Sequence, residues 1–244
     1  MDAFLPYLIS PLVLLGLCFW ERKYPLYPYQ VDEAWRRRLL LLSILGIAST
    51  GLIGLLIEPY IGLIRPSSQL SDLLNACPSW LSGFTAYLVI TFFVYWWHRY
   101  RHHNNVAWMI FHQIHHSTYR LQALTALYAH PSDFVANLLI INVVCYGLLG
   151  MNIESASWAT LWVAIFEYWE HTNIRTPRWL GFFIVRPEMH RIHHERDSHR
   201  NNYGLPIWDM IFGTYENSSR LVECGFDITQ EKRVAEMLAC KQVE

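Results

Sequence analysis

Three stretches of this chain set imidazole rings at helical spacing. "HRYRHH" holds His98 and His102, four apart and so one turn apart on one helix face. "HQIHH" places His112, His115 and His116 at i, i+3 and i+4, and "HRIHH" repeats the pattern with His190, His193 and His194. His171 brings the set to nine, and all twelve histidines fall between His98 and His199. Imidazole is the commonest side-chain metal ligand. A lone HxxxH is common on helix surfaces, but two HxxHH triplets in one chain are specific, and such a cluster would repel itself on protonation if it held no ion. Nine rings exceed what one ion takes. Two ions with four or five ligands each would use them, with neighbouring rings of a triplet serving different ions. Zinc, copper, iron and nickel all suit imidazole, so ring type leaves the metal open. The zinc-protease string HExxH is absent. "HERDSH", from His194 to His199, has one residue too many and turns its second histidine off the face.

The elements that must carry these rings are membrane helices. Of the 244 residues 53% are hydrophobic and 16% charged, against about 25% charged in an average soluble domain. Eleven Trp and fourteen Tyr suit interfacial aromatic belts. A net charge of -1 gives nucleic acid no handle. The five cysteines form no CxxC pair, which argues against a zinc ribbon, a redox dithiol or a disulfide framework; they read as reduced thiols. Four runs are long enough to span, Ala3 to Trp20, Leu39 to Ile57, Leu73 to Trp97 and Phe134 to Ile153. A fifth, Ser155 to Phe166, stays apolar for only twelve residues before Glu167. Residues 134–166 read as a helical hairpin turned around "GMNIES". The start "MDAF" lacks the basic region of a signal peptide, so the first run reads as a membrane helix. Arg22, Lys23, Arg36, Arg37 and Arg38 put the 21–38 loop on the cytoplasmic side, with the N-terminus outside and the histidines cytoplasmic. The expected fold is all-α, an integral-membrane bundle of four to five membrane helices with a cytosolic helical cap. Its parts are N-terminal membrane helices (1–72), a histidine-bearing domain (73–215) and a polar tail (216–244) with one helix, "DITQEKRVAEMLAC". Trp208 and Phe212, four apart, should pack that cap beneath the histidines, with Gly213 ending their turn.

At this point the motifs carry a resemblance. "YWWHRYRHH…W…FHQIHHS", "AHP", "EHTNIRTPRWLG", "PEMHRIHHE" and "NNYGLPIWDMIFGTY" together resemble the fatty acid hydroxylase/sterol desaturase superfamily of integral-membrane di-iron oxygenases over roughly residues 85–215. The resemblance implies two iron ions, with zinc possible in purified protein, and O2 as co-substrate. It implies a lipid bilayer setting, a lipid substrate of sterol or fatty acyl type, and hydroxylation or desaturation. By motif the ligands are His98, His102, His112, His115, His116, His171, His190, His193 and His194. Glu167 stands where some members begin an HxxxH; a role holding a ring N–H is favoured over direct ligation. His103 reads as surface or supporting, His130 as structural or pocket-lining, and His199 as a solvated loop residue. Asp209 reads equally as an orienting or a surface residue.

Breaking an unactivated C–H bond needs redox chemistry that iron with O2 supplies and zinc does not. The sequence shows no CxxCH, GxGxxG or iron–sulfur cysteine pattern, so electrons come from an external donor of cytochrome b5 or ferredoxin type. The membrane is the bacterial inner membrane or the endoplasmic reticulum. The alternative is a histidine-rich metal-binding membrane protein, either a transporter or an inactive zinc-bound relative. A transporter would want ionisable residues within its spans, and the first three spans hold none.

Overall fold

Helices begin where the apolar runs meet turn-forming residues. The computed structural model describes residues 3–30 and 32–244. Helix α1 covers Leu5–Lys23, and α2 covers Glu33–Ile57, capped by the Asp32 carboxylate on the Trp35 amide. The third apolar run starts later than expected. Gln69–Ala76 forms a separate short helix, α3, and Pro78 resets the backbone before α4, Ser79–His103. Helix α6 (Pro131–Asn142) passes into a π-helical turn ending at Leu148, and Asn152 caps α7, Ile153–Glu170. The fifth run is therefore longer than its twelve clean residues suggested. It continues through Glu167 and Glu170, whose carboxylates face an internal cavity rather than lipid. The two arms of the 134–166 hairpin mostly pack elsewhere, α7 on α4 and α1, and α6 on α2.

Close approaches explain that arrangement. A Cβ on Gly83 of α4 would lie 2.5 Å from Trp158 Cβ and 2.7 Å from the Ala159 nitrogen of α7, so only glycine lets these backbones meet. Ile90, Ile141, Cys145, Ala156 and Ala159 fill the core between α4, α6 and α7. By contrast α1 and α2 bury only 11% and 17% of their apolar windows within the chain. Leu8, Leu12, Leu15, Ile44, Ile47 and Leu55 stand exposed. A patch of that extent needs an apolar solvent. Among the described residues four helices are long and apolar enough to cross a bilayer, and the chain is a membrane protein.

At one end of the bundle sits the cap, built from α5 (Gln113–Ser117), α8 (Pro187–His193), α9 (Pro206–Phe212) and two short C-terminal helices. "DITQEKRVAEMLAC" breaks into α10 (Ile228–Glu231) and α11 (Val234–Leu238) rather than forming one helix. The break lets Glu231 reach Arg38 at 3.1 Å while Val234 and Met237 enter a core with Trp35, Ile114, Tyr128 and Phe226. The polar tail is thus an integral layer of the cap. The loop after α1 and the start of α2 are tied to the same end: Leu26 N–H donates to the Asn173 carbonyl at 2.8 Å, and Trp35 Nε1 to Thr118 Oγ1 at 2.8 Å. Buried Glu21 accepts from the Ala123 and Asn173 amides, both at 2.9 Å. Trp208 donates to Thr91 Oγ1 at 2.9 Å, Phe212 stacks on Tyr95, and Gly213 ends α9 in the left-handed region (φ 77°). The described residues contain no strand, only an isolated bridge between Glu195 and Cys224, and their five cysteines are unpaired.

Candidate metal centre

Four helical pieces deliver the rings: the last turn of α4, the segment entering α5, the C-terminus of α7, and α8. The α5 segment is not a plain α-helix. Residues Trp108–His112 form a π-helical turn, closed by the Gln113 amide on the Trp108 carbonyl. Such turns concentrate at functional sites, because one extra residue re-aims the side chains that follow. Here the triplet splits. His112 and His116 face each other (Nε2 to Nε2, 3.1 Å) beside α4, while His115 turns to His171.

The nine rings fall into two sets. His98, His102, His112, His116 and His193 offer ligand atoms within 4.8 Å of one another, as do His115, His171, His190 and His194. The sets touch where His116 stacks on His194, centroids 4.1 Å apart. Every ring is buried except half-buried His102.

Proton bookkeeping shows what such a cluster requires. His98 Nδ1 lies 2.7 Å from the Tyr203 carbonyl and His193 Nδ1 2.7 Å from the Asn201 carbonyl. A carbonyl only accepts, so both Nδ1 atoms carry the hydrogen and both Nε2 atoms of the neutral rings are bare. Yet these two Nε2 atoms face each other at 2.9 Å. Two lone pairs at that distance need a cation between them. A proton is a poor candidate, since burial pushes His193 down to about 3. A metal ion fits: two nitrogens each ~2.1 Å from one ion at right angles stand roughly 3 Å apart. In the second set His171 Nδ1 donates to the Glu167 carbonyl at 2.7 Å, so its bare Nε2 meets His115 at 3.1 Å and His190 at 3.0 Å. His102 Nε2 is buried without a hydrogen-bond partner. Burial, the largest cause, lowers His171 to about 4 and holds His112, His115, His116, His190 and His194 well below the usual imidazole range. All nine rings are thus suited to ligation, and the all-nitrogen donor set fits iron.

Partners on the far side of the rings fix their aim. His112 Nδ1 lies 3.4 Å from Asp133, which pairs with buried Arg101. His190 Nδ1 lies 3.4 Å from Glu170, too loosely aligned for a formed hydrogen bond. Asp209 acts through the backbone: it accepts from the Tyr203 and Gly204 amides at 2.9 and 3.1 Å and so holds the carbonyl that orients His98. Glu167 holds His171 through its main-chain carbonyl, and its carboxylate stands with Glu170 and His171 in a third group whose ligand atoms lie within 4.8 Å of one another. His103 is exposed and bonds the Arg99 carbonyl. His130 caps α6 through Ser132 and reaches the Leu238 carbonyl at 3.3 Å, a structural role. His199 is not the solvated loop residue expected. It sits 3.1 Å from His116, Nδ1 to Nδ1, with Glu244 on its other nitrogen, because the loop after α8 folds back through left-handed residues Asp197, Asn201 and Asn202.

A cavity of about 110 Å³ leads to the rings between α4, α6 and α7. Ile90, Val94, Phe134, Val163, Phe166 and Leu205 line its sides, and His98, His112, His115 and His190 are in its wall.

The family model described as fatty acid hydroxylase matches residues 83–214, the stretch that carries all nine rings and the cavity. The chain belongs to the fatty acid hydroxylase family. Among relatives of this family member, human alkylglycerol monooxygenase is 31% identical over 58% of the chain and 32% of its own length. Ornithine lipid hydroxylase OlsE of Rhizobium tropici is 30% identical over 58% of the chain and 44% of its own length. Very-long-chain aldehyde decarbonylase GL1-9 of Oryza sativa subsp. indica is 27% identical, over 58% of each. The match covers about a third of the alkylglycerol monooxygenases. No solved structure matches the chain.

Proposed function

We propose that this fatty acid hydroxylase family member is a membrane-bound, O2-dependent oxidoreductase that hydroxylates a lipid. The observation that carries the reading is two interleaved sets of imidazoles, five and four, all buried except half-buried His102, in the wall of a mostly apolar cavity among membrane helices. His98, His102, His112, His116 and His193 would hold one iron ion, and His115, His171, His190 and His194 the other. Bound iron would supply the redox chemistry by which a C–H bond and O2, with two electrons from an external cytochrome b5 or ferredoxin-type donor and two protons from water, give an alcohol and water. The rest falls to the chain. The Tyr203, Asn201 and Glu167 carbonyls fix three rings as Nε2 ligands, Asp133 and Glu170 stand behind two more, and the apolar wall keeps water from the reacting carbon. The names of the relatives, two of them hydroxylating enzymes acting on lipids, support the substrate class.

The basic 21–38 loop bears on topology. It is bonded to the same end of the bundle as the histidines, which supports a multi-pass arrangement with the metal centre on the cytoplasmic face. Comparative lipid mass spectrometry of cells expressing the wild type and His112→Ala tests the reading. New hydroxylated lipid is expected only with the wild type. Identical profiles from folded, iron-loaded wild type supplied with a competent donor would overturn it for the lipids surveyed.

A further inference from the structure

Three histidines stand outside the two sets, and of these only His199 lies at hydrogen-bonding distance from a ring within them. His199 Nδ1 is 3.1 Å from His116 Nδ1, and His199 Nε2 is 3.1 Å from a Glu244 carboxylate oxygen. A carboxylate only accepts, so with one ring hydrogen His199 carries it on Nε2 and offers a lone pair at Nδ1. His116 then donates from its own Nδ1, which leaves its Nε2 bare. That bare nitrogen is the one that faces His112 Nε2 across 3.1 Å, inside the five-ring set. Donor and acceptor roles thus run without conflict from the carboxylate through two rings to the place an ion would take.

The surroundings hold both partners still. The His199 ring stands between Trp108 and Phe226, centroids 5.4 and 5.8 Å away, with its side chain 10% exposed. Its backbone is left-handed (φ 42°), a state that persists for a residue with a side chain only where its neighbours impose it. The segment bearing Glu244 is anchored too. Gln113 Nε2 donates to the Lys241 carbonyl at 2.8 Å, Gln230 Nε2 donates to the Val243 carbonyl at 3.1 Å, and Val243 is buried in the core with Trp35.

We propose that His199, itself held by Glu244, is a positioning residue for His116: it fixes that ring as an Nε2 ligand and so sets the affinity of the five-ring site. A carboxylate behind a ligand ring orients it and raises its basicity, and here the carboxylate acts through an interposed imidazole. The inference rests on the two-ion reading of the histidines and not on the identity of the lipid.

The test is zinc(II) binding to metal-stripped protein in dodecyl maltoside, read as two dissociation constants by competition with a chromophoric chelator. His199→Gly removes the ring at no cost to a left-handed backbone. It should weaken one ion by roughly 10–100-fold and leave the other at the wild-type value. His199→Asn keeps an acceptor near the place of Nδ1 and tolerates the left-handed state, so it should restore most of that affinity. Glu244→Ala should weaken the same ion, by less. Wild-type affinity for both ions in His199→Gly would overturn the proposal. So would equal weakening of both, or an asparagine variant no better than the glycine one, since either result marks a purely structural role. If the glycine variant does not fold, Glu244→Ala decides: loss at one ion supports the proposal and unchanged affinities overturn it. A wild type that takes up fewer than two ions would overturn the two-ion reading, and this inference with it.

Discussion

Replacing Asp209 tests how far the metal centre depends on a residue that touches no ring. The buried carboxylate accepts from the Tyr203 amide at 2.9 Å, the Gly204 amide at 3.1 Å and the Thr214 hydroxyl at 2.6 Å. In Asp209→Ala the Thr214 hydroxyl keeps Tyr95 at 2.9 Å, so two main-chain N–H groups lose their partner. At ~1–3 kcal/mol for each stranded amide, the fold loses about 2–6 kcal/mol. The freed Tyr203 carbonyl also stops holding His98 Nδ1. Loosening such a support costs roughly 10–100-fold in metal affinity, or about 1.4–2.7 kcal/mol. Asp209→Asn keeps one acceptor and should fall between alanine and wild type on both scales. Thermal unfolding in detergent reads the first effect and competition with a chromophoric chelator reads the second. An alanine variant that melts early yet binds metal like the wild type would refute the link to His98. One that matches the wild type in both melting and metal affinity would refute the whole chain of contacts.

Three further outcomes follow from packing and charge. Gly83→Ala drives a methyl into Trp158 and the Ala159 backbone and should cost ~1–3 kcal/mol, read as a lower melting temperature with α4 and α7 forced apart. Glu21→Ala strands the Ala123 and Asn173 amides and should destabilise by about 2–6 kcal/mol; a neutral result would show that α1 is not pinned to the loop after His171. Acid should unfold metal-stripped protein early. His171 sits at about 4 in the fold against 6.5 unfolded, so between those values the unfolded chain binds more protons. Stability is full above 6.5 and falls as pH drops toward 4, by ~3 kcal/mol from this ring alone. A flat melting temperature from pH 7 to pH 4.5 in stripped protein would contradict it.

The ligand-bearing stretches were legible because helical spacing turns a one-dimensional pattern into a shared face. His98 with His102, and the two HxxHH triplets, announce adjacent rings with no knowledge of the fold. Which ring joins which set was not legible in detail. That depends on the π-helical turn at Trp108–His112, which leaves no mark in residue type. The supports of the rings were hidden for another reason. Asp133 and the carbonyls of Tyr203 and Asn201 meet their histidines only through long-range folding, and an isolated Asp in a sequence has no period to betray it; Asp209 was legible only as one of two equal readings. Glu167 shortened the fifth run on paper because a carboxylate in an apolar run looks like a terminus, whereas here it faces an internal cavity with Glu170. The tail misled by polarity alone: Phe226, Val234 and Met237 are spaced too far apart to look like a core, and they become one against Trp35.

The central claim is that each chain binds two ions, one among five rings and one among four. Anomalous diffraction at the iron edge, on crystals of protein loaded with iron, measures this directly. Two peaks are predicted, one bounded by His98, His102, His112, His116 and His193 and the other by His115, His171, His190 and His194. A single peak, or none among rings that turn away from one another, would contradict it.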